Sequence, residues 1–236
     1  MTIKRILGFI SSTIFVVMLI LLLLLTDVQL AAFDRDYYYE QYEKYQVPQS
    51  IGITMPDFMN ATDILLNYMD GKRDNLDFQM PIKGVQQEFF SSRDKLHMVD
   101  VKNLFVQGKL IRNIAFWYCI LFAVLFYIKV KNKQKRISKL LIYSFVGGIV
   151  PVLLLAILMN IDFYKYFTIF HEIFFDNDLW QLDPAKDRLI NMYPEVFFSN
   201  IAFKIVFYYI GELILLLGLG IFSFKHKKRK LYKVEF

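Results

Sequence analysis

Cysteine is almost missing from this chain: Cys119 is the single one. No disulfide can form within the chain, and no cysteine-based metal site is available. Histidine is nearly as scarce, with only His97, His171 and His226. No glycine-rich phosphate loop, HExxH zinc motif or G-x-S-x-G nucleophile elbow occurs, so nucleotide binding, zinc proteolysis and serine-elbow hydrolysis lack their usual groups. There is no internal repeat, and the Leu21–Leu25 run is plain apolar filler. The most informative absence is of charge. Ile6–Thr26 and Leu140–Ile161 contain no charged residue, and each is long enough to cross about 30 Å of hydrocarbon as a helix.

Two further apolar stretches complete the pattern. Asn113–Ile128 is shorter, but Arg112 and Lys129 bracket it and can snorkel to the two interfaces. Glu195–Phe224 is long and carries only Lys204 and Glu212 inside it. Lys4 and Arg5 before an apolar run also fit a secretory leader. That run exceeds the roughly 7–15 residues of a leader's apolar region, and Thr26–Ala32 offers no A-x-A cleavage pattern. A retained anchor is the expectation. The expected fold class is therefore mostly α: a polytopic membrane protein with four transmembrane helices and a small extracytoplasmic α+β cap.

Basic residues set the expected orientation. The N-terminal stub, the stretch Lys129–Lys139 and the tail from Lys225 are rich in Lys and Arg and hold one acid, Glu235. The segments Asp27–Ile111 and Ile161–Asn200 carry more acidic than basic residues. By the positive-inside rule both termini are cytoplasmic in a plasma membrane. The expected order is a cytoplasmic stub at 1–5, spans at 6–26, 112–129, 139–161 and 196–224, and outer loops at 27–111 and 162–195. A basic inner loop at 130–138 and a basic tail at 225–236 complete it. The net charge of +6 then reflects topology and attraction to anionic headgroups rather than nucleic-acid binding.

In the first outer loop, Tyr37, Tyr38, Tyr39, Tyr42 and Tyr45 crowd together. They read as an interfacial aromatic belt or as a substrate-lining wall near the first span. Thr54-Met-Pro-Asp57 is a capping box opening an amphipathic helix that Gly71 stops. Leu76–Met80 alternates as a short strand, with Val85–Phe90 as its partner. Ser91–Asp94 is a second capping box, so a helix should run from there into the second span. On it Arg93, His97 and Asp100 share a face, and the carboxylate can orient the imidazole. A solvated polar face is the plainer reading of the same spacing.

The second outer loop opens with His171 and Glu172 among Phe167, Phe170, Phe174 and Phe175. Ionisable groups at that depth are costly and are either satisfied by partners or used. Asp183-Pro184 reads as an N-cap and first helical residue, opening a short helix that Tyr193-Pro194 ends. His226 lies in the basic tail and reads as headgroup-facing. Glu212, mid-span and about 12 Å along the helix from Lys204, is either a bundle-facing acid satisfied by its neighbours or a functional group.

Phe170-His171-Glu172-Ile173-Phe174-Phe175, followed by Trp180, Asp183-Pro184, Asp187, Leu189-Ile190 and Tyr193-Pro194-Glu195-Val196-Phe197-Phe198, resembles the signature of a family of Gram-positive integral membrane proteins. That family includes the lipoprotein intramolecular transacylase. Arg93, Leu96-His97-Met98 and Asp100-Val101-Lys102 resemble its other motif, and the four-span layout extends the resemblance over the whole chain.

The resemblance implies an acyltransferase that moves the sn-2 acyl chain of a diacylglyceryl-cysteine lipoprotein to the lipoprotein's own α-amine, at the outer leaflet. It needs no cofactor and no metal. It makes His97 and His171 the catalytic residues, with Arg93, Asp100 and Glu172 in support and Trp180, Asp183 and Asp187 as substrate-site candidates. On this reading His97, oriented by Asp100, is the base, and His171 is proton donor or oxyanion partner. The partners are the modified lipoprotein and membrane lipid, and no nucleic acid. Two other readings stay open: a non-enzymatic protein binding lipid or peptide through its outer loops, and a metal site of His97, His171, Asp100 and Glu172.

Overall fold

The computed structural model describes residues 3–232, and side chains except those of Lys4 and residues 226–232. His226 and the end of the basic tail thus lie outside the described side chains. The chain is mostly helical and forms two units, one of residues 1–28, 110–157 and 204–236, the other of residues 29–109 and 158–203.

The first unit is made from four long helices: α1 (Ile3–Ala32), α5 (Ser92–Lys129), α6 (Lys133–Ile161) and α9 (Glu195–Tyr232). All four are long and apolar enough to cross a membrane. Their large side chains face outward: Trp117, Phe207, Leu215 and Phe222 are each about two-thirds or more exposed. Such a band is tolerable only against hydrocarbon. Helix association without a water-driven core relies on close approach of small residues, and Gly148 provides it. A Cβ there would lie 2.7 Å from the Tyr209 hydroxyl and 2.9 Å from Leu213, the residues that form the buried cluster with Val152. Glu212 is half-buried and interacts electrostatically with the buried Asp27, and both act on Tyr209.

The second unit holds α2 (Arg35–Tyr45), α3 (Val47–Ile51), α4 (Met55–Met69), the hairpin β1 (Gln79–Ile82) and β2 (Val85–Glu88), the first turns of α5, α7 (Phe163–Phe174) and α8 (Leu189–Met192). Thr54 caps α4 through the Asp57 amide, and Gly71 takes the left-handed φ of 79° that follows its end. The two strands are antiparallel, with Met80 opposite Gln87. They lie a few residues later than the alternation suggests for β1.

Two expectations are corrected here. Tyr37, Tyr38 and Tyr42 form neither a headgroup belt nor a wall. They are buried with Phe58, Tyr193 and Phe197 in the core of the unit, where ring pairs with centroids 4.6–6.4 Å apart contribute about 0.5–1.5 kcal/mol each beyond area burial. Asp183-Pro184 opens a turn, not a helix. The Asp183 side chain accepts the Ala185 amide at 2.9 Å, while its own amide donates to Asp187 Oδ2 at 2.7 Å. Those local bonds replace the helical ones, and the helix starts later, at Leu189.

Candidate active site

The site begins with a helix start. Ser91 Oγ accepts the Asp94 amide at 2.9 Å and the Ser91 amide donates to Asp94 Oδ2 at 3.0 Å, a reciprocal capping box. Asp94 is fully buried, and burial pushes its carboxyl above the usual range despite the amides that Ser91, Arg188 and Leu189 donate to it. The cap fixes the rotation of the first turns of α5. The charge-free stretch suited to hydrocarbon begins only at Asn113, so Arg93, His97 and Asp100 project from the helix before it enters the bilayer.

All three of those side chains meet the segment that follows α6. The Arg93 guanidinium donates to the Asp178 carbonyl, with the Asp178 carboxylate 3.5 Å away. The Asp100 carboxylate accepts the Asn177 amide at 2.9 Å. His97 stacks toward His171, with ring centroids 6.1 Å apart and planes at 34°.

α7 supplies the second imidazole. His171 Nδ1 lies 2.7 Å from the Phe167 carbonyl oxygen. A carbonyl only accepts, so Nδ1 carries the proton and donates, and in the neutral ring Nε2 keeps the lone pair. Trp180 stacks on this ring at 4.9 Å and 32°, while Phe167 and Phe170 press their edges against it. Phe175 touches both imidazoles, at 5.4 Å from His97 and 5.5 Å from His171.

Burial has an electrostatic consequence. Both histidines are less than 10% exposed, which disfavours their charged forms. Desolvation, and then the neighbouring His171, lower His97 from 6.5 to about 4. Desolvation also lowers His171, against a smaller opposing effect of the Phe167 carbonyl. Two neutral imidazoles therefore face one another at pH 7. Among the described residues His97 Nδ1 and Arg93 Nε are buried without a hydrogen-bond partner, which leaves two polar atoms for an incoming group to satisfy.

The other sequence candidates are placed as follows. Glu172 is exposed and is not brought to the imidazole pair. Asp183 is half-exposed and pairs with Lys186 at 3.3 Å. Asp187 is buried, with Oδ1 accepting Ser91 Oγ–H at 2.6 Å and Oδ2 accepting the Asp183 amide, so Oδ1 clamps this segment onto the start of α5 and Oδ2 braces the local turn at Asp183. Among the described residues no three His, Cys, Asp or Glu side chains converge in a metal-holding group.

Sequence reasoning missed Arg188, whose guanidinium donates to the Glu88 and Phe89 carbonyls at 2.6 and 2.7 Å and to Gln87 Oε1 at 2.7 Å. It also missed Asn177, and it placed Phe175 beside His171 without the contact to His97. No local pattern marks any of these, because their partners are far away in sequence.

Residues 13–198 match the family described as lipoprotein intramolecular transacylase Lit. A comparison with curated proteins finds no match. Among solved structures, the membrane-integral lipoprotein intramolecular transacylase Lit from Bacillus cereus is similar with a TM-score of 0.73 at 23% identity, covering 93% of this chain and 97% of that one. Another structure of that protein, carrying a histidine-to-arginine mutation, gives a TM-score of 0.76 at 22% identity over 96% of each chain. At such identity the structures establish the common fold. The match over residues 13–198 goes further: this chain belongs to the lipoprotein intramolecular transacylase family and is a membrane acyltransferase.

Proposed function

We propose that the chain moves the sn-2 acyl group of a diacylglyceryl-cysteine lipoprotein onto that lipoprotein's α-amine, and that His97 and His171 carry the protons. The observation that carries this reading is the buried imidazole pair, 6.1 Å apart and neutral. The amine nitrogen attacks the ester carbonyl and forms the new C–N bond. The C–O bond to glycerol then breaks. One proton leaves the amine and one ends on the glyceryl oxygen, so the imidazole pair takes up a proton during attack and returns it during collapse. Amine and ester belong to one substrate, and orientation of tethered groups can supply much of the rate without an acyl-enzyme.

The hydrogen bond to Phe167 favours His171 as the base, because its free Nε2 lone pair is the accepting position. This reverses the assignment expected from Asp100, whose carboxylate is held by Asn177 instead of His97. His97, with its unpartnered Nδ1, then serves the leaving oxygen. The orphaned Arg93 Nε–H suits the tetrahedral oxyanion. Trp180 shields His171 from water and keeps it neutral. Glu172, Asp183 and Asp187 act, if at all, by positioning.

The balance of basic residues supports placing the histidines at the outer leaflet with both termini cytoplasmic, where the substrate's acyl chains reside. The test is mass spectrometry of a reporter lipoprotein's N-terminal peptide from cells with and without this protein. An N-acyl, lyso-glyceryl peptide appearing only with the protein is the expected result. A diacylglyceryl peptide with a free amine in both would refute it.

A further inference from the structure

The helices α1, α5 and α6 line a groove of about 570 Å³, within the size range of small-molecule sites. At one end the Tyr118 hydroxyl donates to the Ser11 carbonyl at 3.1 Å. Leu121, Phe122, Leu125 and Phe126 form the apolar wall, and at the other end Lys129, Arg136 and Lys139 line the rim. Among the described residues none of these three cations has an ion pair or hydrogen bond with a protein group. From Tyr118 to Lys129 α5 rises about 16 Å, close to half of the roughly 30 Å hydrocarbon core. The groove is thus one leaflet deep, apolar along its length and cationic where headgroups lie.

We propose that this groove is a binding site for one anionic glycerophospholipid of the leaflet on the basic side. An acyl chain lies along the Leu–Phe wall, and the phosphate meets Lys129, Arg136 and Lys139. Charge selects this occupant over a second copy of the chain, which would bring its own basic helix ends against the same three cations. It also selects an anionic lipid over a zwitterionic one, whose ammonium offsets the attraction. Room for the chain comes from α1: Gly8 lines the groove, and a Cβ added there would meet nothing within 4 Å. The site is separate from the acyl-transfer chemistry and does not depend on it. Only the identity of the leaflet as the inner one rests on the orientation proposed above.

Native mass spectrometry of the full chain in detergent tests this, with dioleoyl phosphatidylglycerol and dioleoyl phosphatidylcholine offered at equal concentration. A one-to-one phosphatidylglycerol adduct should survive conditions that strip phosphatidylcholine. Lys129→Gln/Arg136→Gln/Lys139→Gln should weaken it roughly 100-fold, since each basic group near a surface contributes about fivefold. Lys131→Gln/Lys135→Gln, which removes charge from the same face outside the groove, should change it less than twofold. Gly8→Leu fills the groove without altering charge and should also lower retention. Millimolar inorganic phosphate should not displace the lipid. Equal retention of the two lipids, equal loss in the groove and control variants, displacement by phosphate, or a wild-type dimer abolished by Gly8→Leu would each overturn the proposal.

Discussion

The Phe175 ring stands edge-on to His97, with centroids 5.4 Å apart and planes at 82°, and it also touches His171, with centroids 5.5 Å apart. One aromatic residue just past the end of α7 thus closes the space beside two imidazoles supplied by different segments. That contact keeps water off both rings and holds them neutral, the form in which either can accept a proton.

Removing either imidazole should be costly. His97→Ala and His171→Ala are each expected to slow acyl migration by about 10²–10⁴-fold, the range for a positioned general acid or base. The double variant should be little worse than the slower single one, because groups serving one step are not additive. Asp100→Asn should have a much smaller effect, since that carboxylate binds Asn177. Peptide mass spectrometry measures the rates once membrane insertion and yield are shown to be unchanged. A fully active double variant would sink the histidine mechanism.

The pH dependence carries a sign that separates enzyme from substrate. The attacking α-amine, with a pKa of about 7.7–8.0, must be neutral, so the rate should climb through that range. The histidines, held low, should add no inflection near 6.5. For stability the sign runs the other way from a paired histidine. His97 titrates at about 4 when folded against 6.5 as its ordinary value, so between those values the unfolded chain binds more protons. The stability from burying the neutral ring is complete above about pH 6.5 and is lost as pH falls toward 4. His97→Asn should flatten that part of a thermal-unfolding profile in detergent.

Local chemistry made much of this legible. The capping boxes at Thr54 and Ser91 were readable because their partners lie three residues away. The long apolar runs were readable because hydrocarbon demands length and absence of charge. Both histidines drew notice from their rarity and their position beside apolar runs. Two failures came from distant partners and one from competing local hydrogen bonds. Tyr37, Tyr38 and Tyr42 are interior because Tyr193 and Phe197 cover them. Asp183-Pro184 looked like a helix start until the Asp187 carboxylate captured the Asp183 amide. Asp100 looked like the orienting acid for His97, one turn away, because Asn177 could not be placed in advance.

The clamp around Asp94 and Arg188 yields a prediction about stability. Asp94 accepts the Arg188 and Leu189 amides, and the Arg188 guanidinium makes three hydrogen bonds of 2.6–2.7 Å to the chain around β2. Hydrogen bonds to charged groups contribute about 1.5–3 kcal/mol, and a stranded buried partner costs a similar amount. Arg188→Ala and Asp94→Ala should each lower the thermal midpoint by several degrees. Arg188→Lys should rescue little, because an ammonium cannot reproduce the planar fork. Unchanged midpoints would show that the second segment is held by its aromatic contacts alone.

Orientation decides which leaflet supplies the substrate, and it is open to direct measurement. Cys119 must first be replaced by Ala, which should leave activity nearly intact because its sulfur lies within an apolar helix and bonds to nothing catalytic. Chelators should likewise leave activity unchanged if the imidazoles act without a metal. Asn75→Cys, Asp178→Cys or Asn132→Cys is then introduced one at a time. Asp178 lies next to the Arg93 contact and is exposed, with 76% of its side chain accessible. Asn132 sits in the turn between α5 and α6 among Lys129, Lys131 and Lys133. An impermeant thiol reagent applied to intact cells should label the cysteines at 75 and 178 and spare the one at 132, with all three labelled after permeabilisation. Since moving a cluster of lysines and arginines across the bilayer is what the positive-inside bias opposes, the reverse pattern would overturn the topology. It would move the histidine pair to the inner face and put the lipid groove in the outer leaflet.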